Sequence, residues 1–541
     1  MNDDLVQVRA GVYHDSVSLM RVSQALSGLP GVEVAVVAMA TELNLGIAAE
    51  LGFALPAAGP ADLLVALRAV DEAAAGRAAA ELDRLLADLS LRAAGPAAAE
   101  HPPRTVRSAL RSALGDTALG DTAPGDTAPG DTAPGDTAGD ASGDPAAGRR
   151  ATLVLVSVPG PHAFAEALDA VEAGCSVMIF SDNVPVEQEV LLKRRAGELG
   201  VLVMGPDCGT AVVGGTGLGF ANVLRPGPVG VVAASGTGAQ QVACLLDLAG
   251  VGVSHVLGVG GRDLSAEVGG ASTLRALDAL DADPATGLIV LISKPPAPEV
   301  AQAVREAAGK LATPVVTAFL GPGQDDLTAA AGNVLRALGG EVPEWPSWTG
   351  GDGRPAPGGG GAAADGAAAD GAAADGAAAD GAAADGAAAD GAAADGADPP
   401  RPGRTLRGIY SGGTLCAEAR LIAGAGEFTD YGDDAYTRGR AHPMIDPALR
   451  LEALSAAAPG EVVLLDVVLG HGADPDPAVR LAPAIAAAVS RGVPVVVALV
   501  GSTGDPQGLE AQAGALREAG ADVFASNARA ARHAARLADA R

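Results

Sequence analysis

An α/β fold is predicted for this chain from three observations. Apolar residues make up 48% of the sequence and aromatic residues only 2%. The interior must therefore be built from Val, Ala, Leu and Ile, the composition of buried parallel strands covered by Ala-rich helices. Short β-branched runs alternate with stretches of helical period, and small-residue turns rich in Gly and Ser stand between strand and helix. A chain of 541 residues holds several domains at about 100–200 residues each.

Taken in order, residues 5–93 present LVQVRA, VEVAVVAM and LLVALRA as strands with helical stretches between and after them, a βαβαβα pattern, and an N-terminal α/β region is expected over 1–98. Five GDTA copies, beginning at Gly115, Gly120, Gly125, Gly130 and Gly135, are too poor in bulky apolar residues to pack, so 99–150 reads as a linker. Residues 151–226 give TLVLVSVPG, SVMIF and VLVMGPD as strands separated by two helices. Residues 227–340 repeat the scheme with VGVVAAS, VSHVLGVGG, GLIVLIS and PVVTAFLG, and 404–541 with LRGIYSGGT, EVVLLDVVLG, VPVVVALVG and ADVFAS. Seven GAAAD copies at 361–395 lie in a second expected linker, 341–403.

The formal net charge is -29, but twelve aspartates (five in GDTA, seven in GAAAD) sit in the repeats rather than on a folded face. Such acidity opposes binding to phosphate backbones or anionic lipid, so nucleic acid and membrane partners are not expected. Cys175, Cys208, Cys244 and Cys416 form no CxxC pair, which argues against a disulfide framework or a zinc site and suits a reducing compartment. MNDDLVQVRAG lacks the basic and apolar regions of a signal peptide, and no apolar run reaches eighteen residues, so a cytoplasmic protein is expected.

The chemistry is expected at the turns. In an open parallel sheet, ligands bind beyond the C-terminal strand ends, where the free N–H groups and dipoles of helix N-termini favour anions. Ser235-Gly236-Thr237-Gly238 stands at such a place, with glycines for close backbone approach and hydroxyls for capping or for holding an oxyanion. A plain capped turn is the alternative. Ser411-Gly412-Gly413-Thr414 repeats the arrangement in the last block, which suggests an internal duplication with two helix N-termini aimed at one phosphate or carboxylate.

Together with VSVPGPHAFAEALDAVEAG, SDNVPVEQEVLLKRRAGELGVLVMGPDCGTA, GVGGRDL, TRGRAHPMIDP and GHGADPDP, these stretches resemble the succinyl-CoA synthetase superfamily of ADP-forming acyl-CoA synthetases, and within it the FdrA proteins. The resemblance implies a Rossmann-type CoA-binding-like region over 151–226 and two flavodoxin-like ligase domains, α-subunit-like over 227–340 and β-subunit-like over 404–541. It also implies that the two turns face a phosphorylated intermediate. Residues 1–93 either complete the CoA-binding-like region or stand apart.

The sequence departs from the superfamily pattern in three places. GPGQDDLTAAAGN, after PVVTAFLG, contains no histidine to phosphorylate, and Lys294 stands where the superfamily has a glutamate. Lysine suits a bound anion. The N-terminal VRAGVYHDSVSL offers only Gly11 where a glycine-rich CoA turn is expected, and no segment is left to form an ATP-grasp domain. CoA is thus a possible cofactor, a nucleotide is expected only through a partner subunit, and this polypeptide alone should not be an ATP-driven ligase.

Further candidates carry bland alternatives. His471, between glycines after a strand, suits a general acid/base or an oxyanion donor; a solvated loop histidine is the other reading. Arg438, Arg440 and His442 offer three cations for a carboxylate or phosphate clamp, or a structural turn. Gly260, Gly261 and Arg262 offer close backbone approach and a cation, with Arg262 and Asp263 expected to pair. Cys208 reads as a small buried residue, His14, His162 and His255 as structural, His101 and His533 as solvent-exposed, and Gln324-Asp325-Asp326 as a helix start. No metal site emerges. The resemblance implies three alternative functions: a superfamily enzyme moving an acyl group through a phosphate site without phosphohistidine; as with FdrA proteins, a carbamoyltransferase subunit of purine-nitrogen breakdown, joining oxamate and carbamoyl phosphate; or a non-catalytic scaffold subunit. The expected partners are a small carboxylate or carbamoyl substrate, phosphate and other subunits.

Overall fold

A computed structural model describes residues 3–12, 14, 16–60, 62–93, 105–114, 153–350, 404–437 and 440–539. Both repeats, and the linker reading made for them, lie outside these residues, as do His101 and Arg438.

The N-terminal region stands apart. It comprises β1 (Asp3–Arg9), α1 (Ser16–Ser27), β2 (Val32–Met39), α2 (Glu42–Glu50), β3 (Leu63–Ala69) and α3 (Glu72–Ala93), with strand order β1-β3-β2. Both pairings are antiparallel, and the three strands form a sheet of their own that, among the described residues, joins none of the others. Successive side chains on a strand point to opposite faces. Leu63, Val65 and Leu67 accordingly pack with Leu19, Val22 and Leu26 of α1 and Leu82 of α3, while Leu64 and Ala66 pack on the other side with Ala48 of α2 and Phe53.

A helix, α4 (Val106–Leu114), follows inside the stretch expected to be linker. Its Leu110 joins the core of the next unit, and Glu166 accepts a hydrogen bond from the Val106 N–H. That unit is a three-stranded parallel sheet in the order β4-β5-β6: β4 (Leu153–Val156), α5 (Gly160–Glu172), β5 (Ser176–Ile179), α6 (Val186–Leu199) and β6 (Val203–Met204). A hairpin, β7 (Thr210–Val213) and β8 (Thr216–Gly219), leaves it and adds to the neighbouring sheet.

The first ligase-like domain contains β9 (Pro226–Ala234), α7 (Gly236–Leu248), β10 (Val253–Gly258), α8 (Ala271–Asp281), β11 (Leu288–Ser293), α9 (Pro298–Ala308), β12 (Val315–Phe319) and α10 (Leu327–Ala337). Its order, β12-β11-β9-β10-β7-β8, contains the flavodoxin-like sequence of parallel strands read from the far edge. As expected, Asp326 caps α10, its carboxylate accepting from the Ala329 N–H. The chain then leaves through β13 (Ser347–Trp348), which pairs antiparallel with Phe524 and Val523 of the second ligase-like domain and is a further departure from the linker expectation.

The second ligase-like domain contains β14 (Thr405–Tyr410), α11 (Gly413–Ala423), β15 (Glu427–Asp430), α12 (Asp434–Thr437), α13 (Ala448–Ser455), β16 (Glu461–Val468), α14 (Pro477–Ser490), β17 (Val495–Val500), α15 (Leu509–Glu518), β18 (Asp522–Phe524) and α16 (Asn527–Asp539). The order β13-β18-β17-β16-β14-β15 is the full flavodoxin-like set plus β13. In both domains the first strand, β9 or β14, lies between the second and third, so each sheet has its topological switch point beside it, where α/β sheets bind ligands.

The two domains share one core. Val242 and Leu246 of α7, Leu327 and Val334 of α10, Leu415 and Ala419 of α11 and Ala530 and Ala534 of α16 belong to a single buried cluster. Polar contacts fix the register: Gln241 Nε2 donates to the Ala525 carbonyl at 3.0 Å, and Gln241 Oε1 accepts from the Asn527 N–H at 2.9 Å.

Candidate functional site

The two turns meet. Ser235 takes an extended backbone as N-cap of α7, its Oγ accepting from the Gly238 N–H at 2.9 Å. The same hydroxyl donates to Thr414 Oγ1 at 2.7 Å. A Cβ on Gly412 would lie 2.5 Å from Thr237 Cγ2, so only glycine permits this approach. The first turns of α7 and α11 are thus in contact, each following the first strand of its sheet. The first N–H groups of an α-helix have no intrahelical acceptor. Gly412, the N-cap of α11, supplies no side-chain cap.

Charged groups gather at this uncapped end. A Cβ on Gly413 would lie 2.6 Å from Asp430 Oδ2 and 2.9 Å from Lys294 Nζ. Lys294 follows β11, at the switch point beside Ser235, and is exposed. An ammonium at a helix N-terminus opposes the dipole, an arrangement that a bound anion relieves. Asp430 ends β15 and accepts from the Gly432 N–H at 2.9 Å. Burial pushes its carboxyl up to about 6, with Asp466 and Asp433 adding to the shift, while the Gly432 hydrogen bond and Lys294 oppose it. A carboxyl poised there can give or take a proton near neutrality. The sequence did not single out Asp430.

Ser411 departs from expectation. Its N–H donates to Asp466 Oδ1 at 2.8 Å and its hydroxyl to both carboxylate oxygens at 3.0 Å. Asp466 lies in β16 and pairs with buried Arg450 at 3.0 Å. With its donors committed to a buried carboxylate, Ser411 anchors the turn from below and offers no group to a ligand.

His442 enters as a neutral imidazole, not as one of three cations. Desolvation, with Arg450 adding to it, pushes it down to about 4. Its ring lies over Phe220 with centroids 5.4 Å apart, its Nδ1 accepts from the Met444 N–H at 3.3 Å, and its Nε2 lies 2.9 Å from a Cβ position on Gly432. Arg440 is exposed between α12 and α13, so the described residues do not assemble the expected clamp.

His471 lies past the C-terminal end of β16 and is exposed. Its N–H donates to the Ala221 carbonyl at 2.8 Å, and its carbonyl accepts from the Ala221 N–H at 3.2 Å, a bridge between the lobes. Gly260, with φ +92, packs against the Pro206 carbonyl, and Gly261 is exposed. Arg262 does not pair with Asp263: it binds Glu189 of α6 at 2.9 Å and the Val184 carbonyl at 2.8 Å. Asp263 instead takes Lys193 Nζ at 2.8 Å and caps α8 through the N–H groups of Ser272 and Thr273. The Gly260–Arg262 turn therefore fastens the three-stranded unit to the first ligase-like domain.

Cys208 is buried, its thiol pushed up to about 12 by desolvation, and is no nucleophile. His255 is structural as expected, accepting from the Gly214 N–H and lying 3.4 Å from Asp283. His533, expected in solvent, instead sits half-buried 2.8 Å from Asp522.

Comparison with known proteins gives two family matches: the AllF heavy metal-associated domain over residues 1–102 and CoA-ligase over 409–537. Uncharacterized protein YahF of Escherichia coli is 32% identical over 96% of this chain and 96% of its own length. Succinate–CoA ligase [ADP-forming] subunit alpha 2 of Archaeoglobus fulgidus is 32% identical over 26% of this chain and 49% of that protein. Malate–CoA ligase subunit alpha of Methylorubrum extorquens is 28% identical over 28% and 53%. The chain thus spans about half the length of these ligase subunits. Among solved structures, the dinucleotide-forming acetyl-coenzyme A synthetase 1 of Ca. Korarchaeum cryptofilum, in complex with phosphate and ADP, aligns with TM-score 0.26 and 14% identity over 71% of this chain and 82% of that one.

Two groups named by these relatives do not fit the residues present. Residues 1–102 contain no cysteine, the soft thiolate ligand of heavy-metal sites, and among the described residues no three His, Cys, Asp or Glu side chains come together as a metal site. For CoA, the first strand–helix turn of the β4-β5-β6 sheet has the single glycine Gly160, whose α-carbon faces the Asp182 and Asn183 carbonyls rather than open space. Among the described residues, no strand pairs with the outer edge of β4. A pyrophosphate cradle of the glycine-rich kind is not built there. Alignment to YahF across nearly the whole of both chains, with a CoA-ligase domain at 409–537, shows that this chain belongs to the YahF family.

Proposed function

We propose that this chain is an FdrA-type acyl transferase of the acyl-CoA synthetase superfamily, which seats phosphate at the paired N-termini of α7 and α11 and passes an acyl group, carbamoyl included, to it. The observation that carries this reading is the uncapped start of α11, in contact with the start of α7 and flanked by Lys294 and Asp430. Free N–H groups of Gly236, Thr237, Gly413 and Thr414 and the Lys294 ammonium hold the anion. A phosphate oxygen forms the new C–O bond while the bond to the leaving group breaks, and Asp430 supplies the proton the leaving group takes. His442 stays neutral beside it, and His471 stands at the rim.

Two features support transfer without a phosphoenzyme: residues 321–333 contain no histidine, and Lys294 stands where the superfamily uses an acid; among the described residues, the β4-β5-β6 turn builds no glycine-rich CoA cradle. The proposal places any nucleotide step on a partner subunit.

Calorimetric titration with inorganic phosphate tests the seat. Binding to the parent, lost in Ser235→Asp and at least tenfold weaker in Lys294→Gln, is expected. Unchanged binding in both variants would show that phosphate sits elsewhere. Incubation with radiolabelled ATP should leave no acid-labile phosphohistidine, while CoA-independent formation of carbamoyl phosphate would identify the carbamoyl form of the reaction.

A further inference from the structure

The N-terminal domain belongs to a family named for heavy metals yet lacks thiolates, and its contacts point to another role. In α1, Leu19, Val22 and Leu26 face the domain's own sheet. Met20 and Gln24 lie one helical turn apart, on a different face. Gln24 Nε2 donates to the Ile445 carbonyl in the second ligase-like domain, and Met20 packs on the cluster that contains Met444 and Ile445.

Ile445 belongs to the turn that carries His442. The Ile445 N–H donates to the His442 carbonyl at 2.7 Å, and the Asp446 N–H to the same oxygen at 3.0 Å. Within the ligase-like domain, the Asp474 N–H donates to the Met444 carbonyl at 2.7 Å. Two adjacent carbonyls of one turn are therefore held by different domains, Met444 by the ligase-like domain itself and Ile445 by the N-terminal domain. Pro443, Met444 and Pro447 also roof a small cavity lined by Ser411, Arg450 and Asp474, so the turn closes over the anchor of α11.

We propose that the N-terminal domain is a docking domain that positions the His442 turn through Gln24 and Met20 rather than a metal carrier. Gln24 and Met20 are positioning residues: Gln24 bonds the turn directly, Met20 packs on the cluster that holds its Met444 and Ile445 side chains, and the turn places the imidazole against Gly432. This inference is independent of the acyl-transfer reading, because its readout is the histidine itself.

The test uses the full chain labelled with ¹³C at histidine Cε1, with His442 assigned from His442→Gln. Arg450 of α13 acts on the ring electrostatically, and Asp430 Oδ1, at the end of β15, lies 3.1 Å from the same Gly432 Cβ position that His442 Nε2 approaches to 2.9 Å. Gln24→Glu replaces the amide donor with an acceptor facing a carbonyl, and Met20→Asp removes the apolar contact. Both side chains lie off the domain's own core, and amide protection in β3 checks in the same samples that the domain is folded. In both variants the His442 titration midpoint should rise from about 4 by one pH unit or more as the turn loosens and the ring hydrates. Gln24→Lys, which keeps a donor, should stay close to the parent. An unchanged midpoint in folded Gln24→Glu and Met20→Asp would overturn the docking role, and stoichiometric retention of Zn(II) or Cu(I) that His14→Ala abolishes would overturn the rejection of metal.

Discussion

Ser235 and Thr414, 179 positions apart in sequence, share a hydrogen bond of 2.7 Å between their hydroxyls. The same Ser235 oxygen caps α7 through the Gly238 N–H. Ser235→Ala removes both bonds, and a loss of about 1–2 kcal/mol is expected from the cap and the inter-domain contact together. A double-mutant cycle with Thr414→Val, read by urea denaturation, should give a coupling of about 1 kcal/mol. Strict additivity would mean that the hydroxyls do not meet in solution.

Lys294 is exposed, and no ion pair to it occurs among the described residues. Lys294→Gln should leave the unfolding midpoint within about 0.5 kcal/mol of the parent. Its effect should instead appear in phosphate affinity, with a loss of about tenfold, or 1.4 kcal/mol, that shrinks as salt screens the ammonium. Titrations at two ionic strengths check this, and an equal loss at both would point to a structural rather than an electrostatic role.

Ser411 gives the opposite pattern. Its donors satisfy Asp466, buried beside Arg450. Ser411→Asp would set a second carboxylate against Asp466 with no added cation, at a cost of about 3–5 kcal/mol. Ser411→Ala removes only the hydroxyl donor, costing about 1.5–3 kcal/mol. Thermal unfolding should therefore rank parent, Ser411→Ala and Ser411→Asp in falling order. A Ser411→Asp protein as stable as the parent would place the side chain in solvent.

That contrast marks how far the sequence could be read. The strand–turn–helix units at Ser235 and Ser411 were legible because Val-rich strands, small turn residues and Ala/Leu helices are local signals. Whether a serine faces a ligand or a buried carboxylate is decided by Asp466, which lies 55 positions away inside the apolar strand EVVLLDVV. Asp430 escaped notice because EFTD is a four-residue edge strand with one buried side chain, too short for periodicity to show. Strand direction in the N-terminal sheet was equally hidden: alternating strands and helices fit either sense, and the antiparallel pairing of β3 with both neighbours is set by tertiary packing.

Glu418, buried in α11, binds across the domain seam. Its Oε1 accepts from the Leu327 N–H at 2.6 Å, and its Oε2 from Asn527 Nδ2 at 2.7 Å. Desolvation still wins over these bonds and pushes the carboxyl from 4.5 up to about 7. For an acid whose folded value is raised, the stabilising contribution is fully present below the unfolded value and is lost as pH rises through the folded one. The parent should therefore lose stability between about pH 4.5 and pH 7 through this residue, by up to about 3 kcal/mol. Glu418→Gln cannot titrate, and it turns an amide donor toward one of two donors, a pH-independent cost of about 1–3 kcal/mol. Urea midpoints should then show the parent ahead of Glu418→Gln at pH 5, with the gap closing by pH 8. A gap of the same size at both values would mean that Glu418 is ionised throughout and that the seam between the ligase-like domains carries a paired charge instead of a proton.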